Sequence, residues 1–553
     1  MGARLRWIRR TVAAAFLVGL AFAFVDFRHL APERLGHALA SVQFVPSALS
    51  LLTGASFSIA CLVVLAATLA VGRVYCGAIC PLGLLQDVIR RVSRLLNQAP
   101  PFLKYAPARS WIRHGFLWAT ALAIVAGWGG LALAVLDPYS NFGRLFSALV
   151  RPVVTLANNA LVHAFPSLAS HGWYRVDVVW ASLGVISVAL TVLVVIGVMS
   201  ALRGRLYCNT VCPVGTLLGM LSRRAAYRLS INSRRCKRCA ECLKVCRAQC
   251  IDLRTRQIDA SRCVACFDCL SVCKEAALAY EYSWKKPQPE VDTAPAVPEP
   301  STNFSAGRRA FVSNSLTSIL SALGGLTLLA RGGGGEGAEP ARPQRHRGNH
   351  GEGHGGEHSG KRHREHHDAG PICPPGSGSR EAFLSRCTAC QLCISACPTR
   401  VLQPAFLEYG IAGLMKPRFD LAVAFCNFDC TRCGDVCPTG AIDALALPEK
   451  QVTRVGVAHF DRRLCIVDQN GTDCAACSEH CPTKAVHTVP FRENLRLPEV
   501  DESLCIGCGA CEFACPVQPT KAITVSPKLV HERASKAREE KASTPVPTND
   551  FPF

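Results

Sequence analysis

The segment Cys387-Thr388-Ala389-Cys390-Gln391-Leu392-Cys393-Ile394-Ser395-Ala396-Cys397-Pro398 decides the fold. Its spacing, Cys-x2-Cys-x2-Cys-x3-Cys-Pro, lets three thiolates on one tight loop each reach a different iron of a cubane. The fourth turns away to a neighbouring cluster. The same run recurs at Cys505, Cys508, Cys511, Cys515 and Pro516. Two variants lie between them: Cys426, Cys430, Cys433, Cys437 with Pro438, and Cys465, Cys474, Cys477, Cys481 with Pro482. Short strands are predicted after three of these runs, at Thr439–Ile442, Thr483–Val486 and Ala522–Val525.

Two further runs stand upstream: Cys236, Cys239, Cys242, Cys246 and Cys263, Cys266, Cys269, Cys273. Arg247 and Lys274 replace the trailing proline, and Cys250 adds a fifth thiol. Either Cys246 or Cys250 could be the crossing ligand; the spacing favours Cys246. Six runs of four imply about six 4Fe-4S clusters. Zinc sites are commonly built from two Cys-x2-Cys knuckles, which fits these repeated fours less well. Cysteines two or three residues apart make strained disulfides. A 3Fe-4S cluster usually lacks a cysteine, and none is lacking here.

The chain has 553 residues, enough for several domains, and 49% of them are hydrophobic. Apolar runs at Thr11–Val25, Val45–Val71, Phe116–Leu136 and Val176–Leu202 read as four membrane spans. The net charge of +21 suggests nucleic acid, but the basic residues sit beside apolar segments, so no nucleic-acid partner is expected. Arg4, Arg6, Arg9 and Arg10, the loop from Arg73 to Arg113, and Arg203, Arg205, Arg223, Arg224 and Arg228 form one basic side. The opposite side has only Arg28, Arg34, Arg144, Arg151 and Arg175. The basic side, with the N-terminus, is therefore expected in the cytoplasm of a bacterial inner membrane.

Residues 1–229 are expected to form a four-span membrane domain and 230–284 a two-cluster ferredoxin domain. A Pro-rich linker, 285–306, leads to a twin-arginine-like fifth span, 307–331, that opens with Arg308 and Arg309. A His/Gly-rich linker, 332–370, precedes a four-cluster ferredoxin domain, 371–531, and a disordered tail, 532–553. The expected fold class is thus an α-helical membrane domain with two α+β ferredoxin-like domains. The fifth span would carry the second of these to the periplasm. The linker holds His346, His350, His354, His358, His363, His366 and His367. Imidazoles suit nickel, copper or zinc, yet the irregular spacing among glycines favours a soluble tether.

Two cysteine pairs remain: Tyr75-Cys76-Gly77-Ala78-Ile79-Cys80-Pro81-Leu82-Gly83 and Tyr207-Cys208-Asn209-Thr210-Val211-Cys212-Pro213-Val214-Gly215. Each follows an apolar run, making an internal repeat of span, Cys-x3-Cys-Pro and helix. Cys76, Cys80, Cys208 and Cys212 are candidates for a shared metal or cluster site or a redox dithiol; two buried helix-end thiols are the plainer reading. Cys61 reads as packing, and Cys373 is unassigned.

Cys76, Cys80, Cys208, Cys212 and the eight ferredoxin cysteines behind them resemble the NapH family of membrane quinol dehydrogenase subunits. The second ferredoxin domain resembles the NapG and MauM family, whose members normally begin with a twin-arginine signal. The Cys-x3-Cys-Pro pair also recurs in NosR-type and CcoG-type proteins. This chain departs from the pattern in the two runs without proline, in Cys250 and in the fusion of the halves.

The resemblance implies quinol oxidation and delivery of electrons to a periplasmic enzyme or cytochrome. Membrane lipid and the quinone pool would be the other partners, with quinone a further cofactor. It also implies pairing of the first outer run with the fourth and the second with the third. Ionisable residues near span ends, Asp26, Asp137, His163, His171 and Asp177, are candidates for a quinone site, although interfacial solvation explains each. No general acid–base pair or nucleophile stands out. The alternative function is an accessory or maturation factor that reduces or handles a metal ion, similar to CcoG-type proteins. A redox-sensing membrane regulator is weaker, since no signalling domain is visible.

Overall fold

The computed structural model describes residues 2–284 and 370–536, apart from residues 29, 31, 55–58, 97–99, 101, 102, 168–172 and 493. The Pro-rich linker, Arg308 and Arg309 with the fifth span, the His-rich linker up to residue 369, and residues 537–553 lie outside the described residues. All described residues belong to one compact unit, Met1–Lys286 with Lys361–Phe553.

Helix α1, Gly2–Val25, is apolar and without a breaker, and is one of three helices long and apolar enough to cross a membrane. The others are Pro138–Ala164 and α11, Leu183–Arg203. After α1 come α2 (Glu33–Ser41) and α3 (Phe44–Thr53), which are bent by 93° at their junction. Next are α4 (Ala60–Val71), α5 (Val74–Ala78) and α6 (Pro81–Leu95). The expected span Val45–Val71 is thus split between α3 and α4.

Phe116–Leu136 is likewise split, into α7 (Ser110–Val125) and α8 (Gly129–Leu136). The break falls at Gly127, whose φ of +80° favours glycine. The helix in Val176–Leu202 begins only at Leu183, where Ser182 caps it by accepting from the Val185 N–H.

Pro138–Ala164 was absent from the apolar runs because Asn141, Arg144, Arg151 and Asn158 interrupt it. It comprises α9 (Pro138–Leu145), a π-helical turn (Phe146–Val150) and α10 (Arg151–Ala164). Asn141, Arg144 and Asn158 are buried, so these polar groups face protein rather than the outer surface.

The internal repeat is visible in the backbone. Helices α4 and α11 end at Gly72 (φ +79°) and Gly204 (φ +64°). Short helices α5 and α12 (Leu206–Thr210) follow. Pro81 and Pro213 then open α6 and α13 (Pro213–Ser222) at the first helical position, where a missing N–H does no harm.

The cysteine-rich segments form two-stranded antiparallel sheets. In the first, β1 (Tyr227–Ile231) pairs with β4 (Leu278–Tyr282), and β2 (Ile251–Asp252) with β3 (Gln257–Ile258). In the second, β5 (Leu402–Pro404) pairs with β6 (Pro417–Phe419), β7 (Thr453–Phe460) with β10 (Ile523–Arg533), and β8 (Val486–Pro490) with β9 (Arg496–Val500). The strand expected at Thr439–Ile442 is a turn and bend instead, and Thr483–Val486 contributes only Val486. β10 runs into the expected tail: Glu532 and Arg533 still pair with Arg454 and Thr453.

Helix α1 touches both cysteine-rich segments. Near its start Arg6 donates to Ser271 Oγ at 2.6 Å and Arg10 pairs with Asp268 at 3.1 Å. Near its end the Phe24 carbonyl accepts from Ser395 Oγ at 3.0 Å. From Arg10 to Phe24 is fourteen residues, which at 1.5 Å each is about 21 Å along the helix.

Candidate functional site

The four Cys-x3-Cys-Pro cysteines pack into one buried cluster, each 3% exposed or less. Two arginines cross-link the repeats. Arg73, three residues before Cys76, donates to the Cys208 carbonyl at 3.3 Å. Arg205, three residues before Cys208, donates to the Cys76 carbonyl at 2.5 Å. Gly83 and Gly215 are small for the same reason. A Cβ at Gly83 would meet the Cys76 carbonyl at 2.8 Å, and one at Gly215 would press on that of Cys208. The site therefore has approximate two-fold symmetry. Its sulfurs receive N–H groups: Gln86 Nε2 to Cys208 at 3.2 Å and the Gly215 N–H to Cys212 at 3.3 Å. Such bonds tune a bound cluster.

Arg205 is held in turn by Asp87, Nε to Oδ1 at 2.8 Å and Nη2 to Oδ2 at 2.6 Å. Arg247 bridges Asp87 (2.7 Å) and Asp268 (2.8 Å), which gives the residue in the expected proline position a structural task. Burial opposes ionisation of Asp87, yet Arg205 and Arg247 prevail and hold it below the usual carboxylate range. None of Arg73, Arg205, Gln86 or Asp87 was singled out as part of the site from sequence. The signal was there, since both repeats read Gly-Arg-x-Tyr-Cys-x3-Cys-Pro-x-Gly.

The ferredoxin loops carry a second local signature. In the four runs with unaltered spacing, the residues flanking the second cysteine are both left-handed: Arg238 and Ala240, Ala265 and Phe267, Ala389 and Gln391, Gly507 and Gly509. This conformation turns backbone N–H groups into a concave nest of the kind found at iron–sulfur sites. In all but the last run non-glycine residues adopt it, at about 1–2 kcal/mol each. The loops thus fit a cubane whose sulfurs accept those N–H groups.

Burial, and then neighbouring sulfurs or charges, pushes thiols up: Cys266, Cys477 and Cys508 to about 12, Cys387 and Cys426 to about 11. Loading the sites with metal would displace those protons. A cubane takes one thiolate per iron and so needs sulfurs wider apart than a single ion does. Among the described residues no three Cys, His, Asp or Glu side chains close around a single-ion site.

In the first ferredoxin segment a cavity is lined by Cys246, Cys250, Cys263, Cys266 and Cys269. Cys246 of the first run is thus brought beside the thiols of the second. Cys250 shares the cavity, its sulfur 3.7 Å from that of Cys246. Its hydrogen bond draws the Cys246 thiol down to about 6, while Cys250 itself is pushed up.

In the second segment the runs pair in an order opposite to the expectation. The helix Leu392–Ala396 of the first run packs on Arg432–Asp435 of the second, and Ala476–Glu479 of the third on Ala510–Ala514 of the fourth. Cys437 accordingly lies by Cys387, Cys390 and Cys393, and Cys397 by Cys433 and Cys426. Cys515 lies by Cys465 and Cys477, and Cys481 by Cys505, Cys508 and Cys511. The expected pairing of first with fourth and second with third is therefore corrected to first with second and third with fourth. The pairs join where the Cys426 N–H donates to the Cys508 carbonyl at 2.9 Å.

Both ferredoxin segments abut the helical core at cluster loops. Arg73 donates to the Ser261 carbonyl at 2.8 Å, and a Cβ at Gly77 would lie 2.5 Å from the Val264 carbonyl. On the other side Gly143 admits the Cys390 carbonyl so closely that a Cβ would clash, and Ser147 donates to Gln391 Oε1 at 2.5 Å. Tyr207 links the two contacts, since Asn141 donates to its hydroxyl at 3.3 Å.

The candidate quinone residues do not gather. Asp137 caps α9, accepting from the Ser140 N–H and hydroxyl at 2.8 and 2.7 Å. Asp26 accepts from the Arg28 N–H, His163 is exposed at the end of α10, Asp177 lies beside Arg151 and Arg400, and His171 is outside the described residues. Cys61 donates its N–H to Ser47 Oγ within α4 packing, and Cys373 accepts from the Tyr409 hydroxyl at 3.4 Å.

Comparison with known proteins agrees with this geometry. A family described as a 4Fe-4S binding domain matches residues 52–98 and 185–232, the two Cys-x3-Cys-Pro repeats. A 4Fe-4S dicluster domain matches 386–442, the first two outer runs, and a further 4Fe-4S binding domain matches 498–521. The ferredoxin-type protein NapG of Escherichia coli K12 is 34% identical over 156 residues, 26% of this chain and 66% of NapG. NapF of the same organism is 31% identical over 26% of this chain and 80% of NapF. The methylamine utilization ferredoxin-type protein MauM of Methylorubrum extorquens is 33% identical over 29% of this chain and 74% of MauM. The chain spans just under two thirds of NapG's length. No solved structure matches.

Proposed function

This chain belongs to the ferredoxin-type iron–sulfur proteins represented by NapF and MauM, and from that premise we propose that it is a membrane-bound relay. It takes electrons from quinol and passes them to a periplasmic redox enzyme or cytochrome. In this reading it is a NapH-like half fused to a NapG-like half. The first ferredoxin domain and the N-terminus are cytoplasmic, and the second ferredoxin domain is periplasmic.

The twenty-four ferredoxin cysteines hold six cubanes, and Cys76, Cys80, Cys208 and Cys212 hold a further cluster between the two domains. Bound at these sites, 4Fe-4S clusters supply one-electron storage at each. The observation that carries the reading is the buried thiol site among helices that touch both ferredoxin segments, whose contacts on α1 at Arg10 and Phe24 lie about 21 Å apart. Electron tunnelling falls steeply with distance, so one long jump becomes two shorter ones.

The chain's own residues do the rest. Arg73 and Arg205 lock the two repeats together. Gln86 and Gly215 place N–H groups on the sulfurs, and the Gly77 and Gly143 contacts remove side chains from the path. Full-length protein in liposomes tests the reading. Quinol added anaerobically should reduce the clusters, and an enclosed or external dye should report the side of exit. No cluster reduction by quinol, with iron fully loaded, would overturn it.

A further inference from the structure

The repeat is symmetric at its cysteines and asymmetric around its tyrosines. Tyr207 is enclosed: its hydroxyl donates to the Leu136 carbonyl at 2.9 Å and receives Asn141. Tyr75 is tied to the α2–α3 bend, donating to Gln43 Oε1 at 3.1 Å and accepting from the Phe44 N–H at 3.0 Å. Beside it lies a cavity of about 620 Å³. That volume falls in the range of small-molecule sites.

One wall of this cavity is a complete stripe of α4, with Ala60, Val63, Ala67 and Val71. At 1.5 Å per residue the stripe is about 16 Å long; its one polar residue, Thr68, turns its hydroxyl back onto the Val64 carbonyl of the same helix. The other wall brings a polar end. His37 and Ser41, one turn apart on α2, line the cavity where α2 meets the bend that holds the Tyr75 hydroxyl. Among the described residues the His37 ring makes no hydrogen bond or ion pair. Ile79 completes this end, so Tyr75 and Ile79 each stand next in sequence to a cysteine of the buried site.

We propose that this cavity is the quinol site of the relay, with the isoprenoid tail along α4 and the ring between His37 and Tyr75. The inference rests on the relay reading and names its electron entry point, which none of Asp26, Asp137, His163 or Asp177 lines. Quinol loses two electrons and two protons and becomes quinone. Oxidised clusters would accept the electrons one at a time, and Cys76, Cys80, Cys208 and Cys212 would hold the one nearest this cavity. The protons leave through a His37 ring nitrogen, which sheds the first to water before it takes the second. An acyl chain of a lipid would fill the stripe, but would make no use of an imidazole and a tyrosine beside a cysteine motif.

The test uses full-length protein with decyl-ubiquinol as the probe. Ala67 is exposed on the cavity wall, so Ala67→Trp fills the space without entering the core; Ala67→Leu is the milder second variant. Ala67→Trp should lower kcat/KM for quinol at least ~10-fold, and His37→Phe should lower kcat with little change in KM. Iron content and dithionite-reduced EPR spectra should stay as in the wild type. Native mass spectrometry should find quinone on the wild type and not on Ala67→Trp. Unchanged quinol oxidation by both Ala67 variants would overturn the site and leave the relay standing. Wild-type clusters that quinol cannot reduce would overturn the relay itself. A phospholipid lost on Ala67→Trp in place of quinone would assign the cavity to lipid and overturn the site.

Discussion

Replacing Asp87 by Asn is expected to be among the most damaging single changes outside the cysteines. Arg205 is about 1% exposed and its guanidinium meets both Asp87 oxygens, at 2.8 and 2.6 Å. Arg247 meets the same carboxylate at 2.7 Å. A neutral amide in its place would leave the buried Arg205 guanidinium without its carboxylate, while Arg247 would keep only Asp268. Breaking one side of a buried pair costs roughly 3–5 kcal/mol. At about 2.1 cal/mol/K of unfolding entropy per residue, that is a fall in Tm of about 3–4 °C for a chain of 553 residues.

The damage is also local, because Arg205 holds the Cys76 carbonyl and so sets the distance between the two Cys-x3-Cys-Pro repeats. Thermal unfolding of the full chain in detergent, with iron analysis of the same samples, reads both effects. Asp87→Glu keeps the charge and should recover most of the loss. The pH dependence follows from the depressed pKa of Asp87. Its contribution is complete above the ordinary carboxylate value of about 4 and is lost as pH falls through the lower native value. Asp87→Asn should therefore erase that part of the acid destabilisation. A Tm within about 2 °C of wild type, with normal iron content, would refute the claim that this pair holds the repeats together.

Cys437→Ser should remove the cluster held with Cys387, Cys390 and Cys393, about four irons per chain, and block quinol reduction of the outer clusters; Cys515→Ser should lose as much iron but leave the first two outer clusters reducible, and equal blockage by both would contradict the pairing. Gly143→Val should press on the Cys390 carbonyl and the Phe24 ring, cost about 1–3 kcal/mol and speed proteolysis of the second ferredoxin segment. Cys250→Ser should leave iron content and EPR unchanged if Cys246 is the crossing ligand, whereas loss of one cluster would pass that role to Cys250. Arg308→Lys with Arg309→Lys should strand the second ferredoxin domain inside, and unaltered protease accessibility from outside would argue for ordinary insertion.

The sequence by itself determined the local chemistry. Three thiols on a seven-residue loop are set by that loop's own backbone, so Cys387, Cys390 and Cys393 were legible as a ligand set without any long-range contact. The repeat was legible for the same reason, since Gly72 and Gly204, then Pro81 and Pro213, punctuate the chain identically.

Only the tertiary structure decided what those local units face. The crossing ligand of each run depends on which helix packs on which, and Leu392–Ala396 chose Arg432–Asp435 rather than a partner more than a hundred residues away. Pro138–Ala164 is interrupted in sequence by polar residues, yet Asn141, Arg144 and Asn158 are buried and find their partners inside the protein instead of water. The meeting of Cys76 and Cys80 with Cys208 and Cys212 depends on Arg73 and Arg205 reaching across the fold, a contact that composition and spacing cannot encode. Loop geometry is fixed by bonds a few residues apart, whereas partnership between loops is fixed by packing, and packing exists only once the whole chain has closed.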